Sequence, residues 1–583
     1  MTAYVLEYRN VSFTYWGSNK PAIQEIDLRI EPGQFVVLLG PAGAGKSTFL
    51  LTLNGLIPHV IPGKLEGQVI VDGQDTKSAR VSHLSTSVGL IFEDPDTQIV
   101  SLTVEDDVAF GPSNLGLAPE EVRDRVRQAI AQCRLSGFEE RNPFTLSGGE
   151  KQSLAIAGIL AMRPKILALD EPTSMLDPLG RAQVVSILKS LAEETGTTII
   201  IAEQNPELIL ELADRILVFD GGRIVGDGTP EEIFRQPAVL ASVGVKLPPM
   251  VELFWQLHQR GHLLNCYPLS VEQAAQILRP QLGNFSPPNL KTLTPNSETE
   301  QGESVIQLRQ VHHHYDGSVE ALRGVNLDLY SSQLTAIVGQ NGSGKTTLAY
   351  HMVGIRKPTN PDAKITVAGL DVLHTPLRKL LPHINYVFQN PDDQIFRETV
   401  ALEIAYGPTN LGIPESERVE RVESVLNLLG LQRVRDQSPK ALDRGYRTRT
   451  AIASVLAMQP SILIIDEPTT GLDRIQSLEI FGILEQLAHQ GRTMIFISHE
   501  MDLVAQFAQR VVVMHKGQVL LDGPPAFVFS QEETLRQASL APPEIHRLCR
   551  QLQWTLWDGL RTTHDLAQVI ADQLERKQAY GAL

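Results

Sequence analysis

The chain has 583 residues, too many for one hydrophobic core, so two or more domains are expected. An apolar fraction of 42% with 20% charged residues describes ordinary globular material, and a net charge of −16 speaks against a primary role on duplex nucleic acid. No run of about 18 apolar residues encodes a membrane span, the first residues lack a signal-peptide pattern, and Cys133, Cys266 and Cys549 are too scattered for a structural metal, which suits a reducing cytosol.

In chain order, the first strong element is an apolar run, Phe35–Leu39, expected to be a strand. It leads into Gly40-Pro41-Ala42-Gly43-Ala44-Gly45-Lys46-Ser47, which matches G-x-x-x-x-G-K-[ST]. A strand that turns through glycines into a helix presents backbone N–H groups to phosphate oxygens. The lysine then reaches the β/γ-phosphates and the hydroxyl binds Mg²⁺. Further on, Ile166–Glu171 is an apolar strand-like run ending in Asp-Glu, and a second apolar run begins at Thr198. Residues 284–304 are rich in Pro, Ser, Thr, Asn and Glu and are expected to form an exposed linker.

After the linker the series repeats. The run Leu334–Val338 precedes Gly339-Gln340-Asn341-Gly342-Ser343-Gly344-Lys345-Thr346, and Ile462–Glu467 repeats the apolar strand ending in Asp-Glu. Tyr15 pairs with Tyr315, Lys46 with Lys345, Phe92 with Phe388 and Asp170 with Asp466, at offsets drifting only from 300 to 296. Leu247-Pro248-Pro249 and Pro268–Glu272 match Ala541-Pro542-Pro543 and Arg561–Asp565, so each half ends in a small helical extension. The expected domains are 1–283 and 305–583. Strand-like runs alternating with helix-like segments make each half an α/β, P-loop NTPase domain.

The order of motifs (aromatic, P-loop, Phe-[Glu/Gln], signature, Asp-Glu strand, second apolar strand) resembles the ABC transporter ATPases over nearly the whole chain. The resemblance implies a helical signature subdomain in each half and ATP with Mg²⁺ as ligands. It makes Tyr15 and Tyr315 the adenine-stacking aromatics. It adds Thr48, Thr347, Gly43, Asn341, Gly342, Ser343, Gly344 and the signature residues Ser147, Gly148 and Gly149 to the ATP contacts. It gives Ser47, Asp170, Thr346, Gln389 and Asp466 to the metal, and Glu171, Glu467, Gln389 and His499 to catalysis. Ser174–Asp177 and Thr470–Asp473 match the family's D-loops. In this family each ATP lies between the P-loop of one half and the signature of the other, whose donors meet charge that develops in the transition state.

Departures from the pattern then sort into one pocket. The first half has Glu93 for the Q-loop glutamine and Gln204 for the switch histidine, where the second half has Gln389 and His499. The second half has Leu442-Asp443-Arg444-Gly445-Tyr446 where the first has Leu146-Ser147-Gly148-Gly149-Glu150. The resemblance therefore implies one competent site, built on Lys345 and Glu467, and one impaired site. Asp443 would set a carboxylate against phosphate, at a cost of roughly 1–4 kcal/mol for like charges about 4 Å apart.

Phe388-Gln389-Asn390-Pro391-Asp392-Asp393-Gln394-Ile395-Phe396 and its partner Phe92–Ile99 are similar to the ATPase subunits of energy-coupling factor importers of cobalt, nickel and vitamins. A fused pair is similar to the form proposed for hydroxymethylpyrimidine/thiamine uptake. The implied partners are a transmembrane coupling protein and a membrane substrate-binding component, with the chain peripheral on the cytoplasmic face of the membrane. Its halves would pair within one chain or with a second copy. An ATPase of another transporter class and a soluble twin protein of translation or repair are the alternatives. His312-His313-His314 is expected to be a surface strand, and Met494 and Met514 are expected in the core.

Overall fold

The computed structural model describes residues 4–174, 176–204, 207, 209–262, 266–283, 302–315, 319–470, 472, 474–557 and 559–581. The expected linker falls almost wholly outside them, as do Met175, Gly471 and Asp473 of the D-loops. The chain divides into two compact units, 1–255 with 264–269 and 256–263 with 270–583.

Each unit holds one six-stranded, mostly parallel sheet and one four-stranded antiparallel sheet. In the first unit the large sheet runs Arg223–Gly228, Arg215–Asp220, Phe35–Leu39, Thr198–Ala202, Ile166–Asp170, Val88–Ile91. In the second it runs Gln518–Gly523, Arg510–His515, Leu334–Val338, Thr493–Ile497, Ile462–Asp466, Ile384–Val387. The P-loop strands are buried along their whole length, as a parallel strand covered on both faces must be. That is why they read as unbroken apolar runs rather than as alternation.

This strand order decides where the chemistry goes. The strand ending in Asp-Glu lies beside the strand ending at the switch position, which lies beside the P-loop strand. All three are parallel, so their carboxyl ends open on one edge, where ligands bind in open α/β sheets. Turns after them therefore bring motifs more than a hundred residues apart into one cluster.

A helical layer follows the Q-loop segment in each repeat: Val104–Asn114, Pro119–Gln132 and Gly148–Leu160, then Val400–Leu411, Glu415–Leu428 and Arg444–Leu456. Thr103 and Thr399 cap the first helix of each set by accepting a backbone N–H. Met494 and Met514 are buried. The histidine run corrects its expected surface role. Strand alternation along Ser304–Tyr315 leaves His312 and His314 partly exposed but turns His313 inward, edge-on to Tyr315 and His351.

The second unit also contains Val271–Leu282 from the end of the first repeat. This helix packs on Glu544–Gln551 and Thr563–Gly581 of the second repeat. Arg279 donates to the Gln551 carbonyl at 2.8 Å, and Lys577 to the Gln281 carbonyl at 2.8 Å. Val271, Ala274, Ala275, Leu278 and Leu282, spaced as one face of a helix, are buried there.

Candidate functional site

The two P-loops have the same geometry. Each lysine folds back over its own loop: Lys46 Nζ donates to the Gly40 and Pro41 carbonyls at 2.7 and 3.0 Å, and Lys345 Nζ to those of Gly339 and Gln340 at 2.8 and 3.0 Å. Gly45 and Gly344 cap the helices Lys46–Leu53 and Lys345–Met352 in the left-handed region, with φ of 106° and 101°. A Cβ there would come within 2.6 Å of the Ala22 carbonyl or 2.5 Å of that of Ala321, so a side chain is excluded by space as well as by backbone. Gly40, Gly43, Gly339 and Gly342 are the other glycines of these turns, and Ser343 is buried inside the second. Tyr15 meets the Thr48 hydroxyl at 2.9 Å and Tyr315 the Thr347 hydroxyl at 3.1 Å, which ties each aromatic to the helix after its P-loop. The Arg356 guanidinium lies over the Tyr315 ring, 4.8 Å from its centre.

Around the strand ends the two repeats diverge. In the first, Glu171 lies 4.0 Å from Lys46 Nζ and accepts a 2.7 Å bond from the Gln204 amide. Burial pushes its carboxyl up to about 7, opposed by Lys46 and Gln204 and reinforced by Glu203 and Glu93. Burial also raises Asp170, against a hydrogen bond from Ser47. Ser174 donates to Glu93 at 3.4 Å.

The second repeat places His499 Nδ1 2.8 Å from Glu467 Oε2. Asp466, 3% exposed, accepts the Thr346 hydroxyl at 2.7 Å and the Tyr386 hydroxyl at 2.6 Å, both on Oδ2. Burial raises its carboxyl and these bonds oppose the rise. Gln389 is exposed, two residues beyond the strand Ile384–Val387.

Glu171 and Glu467 both have left-handed backbone, with φ of 46° and 47°. That costs about 1–3 kcal/mol for a non-glycine residue. Each is held by a bond from its own N–H to the neighbouring strand, at Ala202 or Ile497. Strain kept in both repeats at the residue after the aspartate is the backbone signature of a functional turn.

Ser147 heads the helix Gly148–Leu160 in a capping box: its N–H and hydroxyl donate to Glu150 at 2.7 and 2.8 Å, and it accepts the Glu150 N–H. Asp443 heads Arg444–Leu456 and accepts the Tyr446 N–H at 3.0 Å. The substitution thus keeps the cap and the helix while replacing a hydroxyl donor by an acceptor-only carboxylate.

Three features escaped the sequence reading. One is Tyr386. The others are two acids that hold the threonine after the Asp-Glu-Pro turn: Glu203 pairs with Thr173, and Glu500 with Thr469. Glu203 stands one residue before the switch position of its repeat and Glu500 one residue after it. An acid beside the switch residue was the available signal, but a shift of two places hid the equivalence.

The donors at the strand ends suit Mg²⁺ and phosphate. Ser47 with Asp170 and Thr346 with Asp466 are hard oxygen sets, and Asp170 Oδ1 is buried with no hydrogen-bond partner. Glu171→Gln tests the electrostatics of the first set. A carboxyl raised from 4.5 to about 7 stabilises the fold fully below pH 4.5, and that stability is lost as pH rises through 7. The glutamine variant lacks this loss. Its melting temperature minus that of the wild type is expected to grow between pH 5 and 8 by differential scanning fluorimetry, and a constant difference would contradict it.

Comparison with known proteins gives a consistent family. The model described as "ABC transporter" matches residues 23–174 and 322–470. A relative from Methanosarcina mazei, described as an ABC transporter ATP-binding protein, is 39% identical over 96% of both chains. One from Caldanaerobacter subterraneus subsp. tengcongensis, with the same description, is 38% identical over 92% of this chain and 94% of its own. The solved structure of cbiO1 from Clostridium perfringens, part of the ABC transporter complex cbiONQ, is 33% identical over 43% of this chain and 99% of its own, with a TM-score of 0.38.

Proposed function

The chain belongs to the ABC transporter family, as an ATP-binding protein whose ATPase activity is coupled to transport, and from that premise we propose that it is the fused ATPase pair of an energy-coupling factor importer. ATP with Mg²⁺ is the family's ligand. The finer reading rests on the doubled Asn/Asp-Pro-Asp-x-Gln-Ile segment and on both ATPases lying in one chain. The solute is a vitamin, vitamin precursor or metal ion, which this chain need not touch. The partners are a transmembrane coupling protein and a membrane substrate-binding component. No described helix is long and apolar enough to cross a membrane, so these partners would carry the solute's path.

One site is competent and the other degenerate. The observation that carries this is the contrast between Glu467, met by His499 at 2.8 Å, and Glu171, held by a neutral amide from Gln204. In the competent site Lys345 and the P-loop N–H groups bind the phosphates, Thr346 and Asp466 hold the metal, and Tyr315 stacks on adenine. Mg²⁺ neutralises developing phosphate charge when bound. Glu467 takes the proton of the attacking water, His499 and Gln389 contact the γ-phosphate side, and the family's head-to-tail pairing supplies Ser147, Gly148 and Gly149 as donors. In the degenerate site Lys46, Ser47, Asp170, Glu171, Tyr15 and Thr48 still bind ATP, while Asp443 opposes the transition-state charge.

Purification of the tagged chain from detergent-solubilised membranes tests the importer reading. A multi-helix coupling protein and a small membrane protein are expected to remain bound. Recovery with ribosomes, or with no membrane protein, would reject it.

A further inference from the structure

We propose that Tyr386 is a positioning residue for the metal-holding carboxylate of the second repeat: its hydroxyl, bonded to Asp466 Oδ2 at 2.6 Å, fixes the carboxylate that takes the divalent cation of bound nucleotide. This deepens the assignment of the competent site to that repeat and rests on it.

The geometry is particular to one half of the chain. Tyr386 lies on the strand Ile384–Val387, three residues before Gln389, and is 6% exposed. Its ring is packed edge-on against Tyr350, centroids 5.3 Å apart, and against Phe388 at 5.0 Å. The phenol is thereby braced by two neighbouring rings. At the matching positions of the first repeat stand Leu90 and Leu51, neither of which can donate a hydrogen bond. The two repeats share the P-loop and the Asp-Glu strand end and differ in what supports them.

The phenol hydroxyl donates to the carboxylate and brings no charge of its own to the site. A buried carboxylate that accepts two hydroxyls on one oxygen is fixed in rotation. Its second oxygen is then presented in a set direction. Partners that orient a metal ligand in this way change metal affinity about 10- to 100-fold when removed. In the first repeat the aspartate accepts a hydrogen bond from Ser47, and Leu90 at the position of Tyr386 offers no second donor, so Asp170 is the less constrained ligand. The strand that carries Tyr386 also carries the chain toward Gln389.

The test is Tyr386→Phe in the full-length chain, which removes one oxygen and keeps the ring packing. Mn²⁺ binding in the presence of a non-hydrolysable ATP analogue, followed by electron paramagnetic resonance, is expected to weaken about 10-fold at one class of site and to be unchanged at the other. The Mg²⁺ concentration for half-maximal ATPase activity should rise by a similar factor. Turnover at saturating Mg²⁺ should stay within about twofold, as should nucleotide affinity in EDTA. An unmoved Mn²⁺ curve overturns the proposal. So does a shift matched by equal loss of metal-free nucleotide affinity and of melting temperature, which marks a role in packing alone. Activity loss in Glu171→Gln but not in Glu467→Gln would refute the site assignment separately, and the Mn²⁺ result would still decide the role of Tyr386.

Discussion

Glu467→Gln is expected to lower the steady-state ATPase rate at least 100-fold, whereas Glu171→Gln retains at least half of it. A positioned general base contributes about 10²- to 10⁴-fold, so losing the one that works is close to losing turnover. Both glutamates share the left-handed turn and the bond to the adjacent strand, so backbone geometry does not separate them. Their partners do. Glu467 faces an imidazole that can share a proton, and Glu171 faces the amide of Gln204, which can hold a carboxylate but cannot relay a proton. The signatures diverge to match, since Ser147 keeps a hydroxyl and Asp443 brings a carboxylate. Phosphate release and nucleotide binding measured on both full-length variants decide the matter. Equal losses would remove the asymmetry.

Gly149→Ala is expected to destabilise the first unit sharply. Its Cβ would lie 2.8 Å from Gly180 Cα, a backbone atom that cannot rotate away. The helices Gly148–Leu160 and Pro178–Thr195 would have to move apart. Overpacking of this kind costs about 1–3 kcal/mol, which corresponds to a fall of about 2–12 °C in the unit's melting temperature. Two neighbours provide controls. A Cβ on Gly148 would meet only Leu176 Cδ2, at 3.4 Å, and one on Gly445 would meet first the mobile end of Gln476, at 2.8 Å. Gly148→Ala and Gly445→Ala should therefore melt within a few degrees of wild type in calorimetry. Equal falls in all three would mean that the close approach of the two helices is not the cause.

Much of the site was written locally in the chain. P-loops, Asp-Glu strand ends and switch positions lie at the ends of parallel strands, so a few adjacent residues identify each of them. Their neighbours were harder to read. Tyr386 sits in a four-residue apolar strand, where an aromatic is expected to fill space, and nothing nearby announces that its hydroxyl meets a carboxylate 80 residues away. Glu203 and Glu500 hold equivalent threonines from non-equivalent positions, so aligning the repeats conceals them. His313 was legible in principle, because strand alternation alone separates it from His312 and His314. The extensions follow helical periodicity, but periodicity gives the apolar face of Val271–Leu282 without saying which surface covers it.

That last helix bears on how such a gene can be divided. Its apolar stripe is buried against Glu544–Gln551 and Thr563–Gly581, which the ribosome makes some 260 residues later. During synthesis the leading repeat therefore emerges with an apolar segment that stays uncovered until those two later helices are made. Severing the gene between the repeats would leave each product with a raw hydrophobic edge, so covalent fusion here keeps together two pieces that would otherwise have to find each other in the cell.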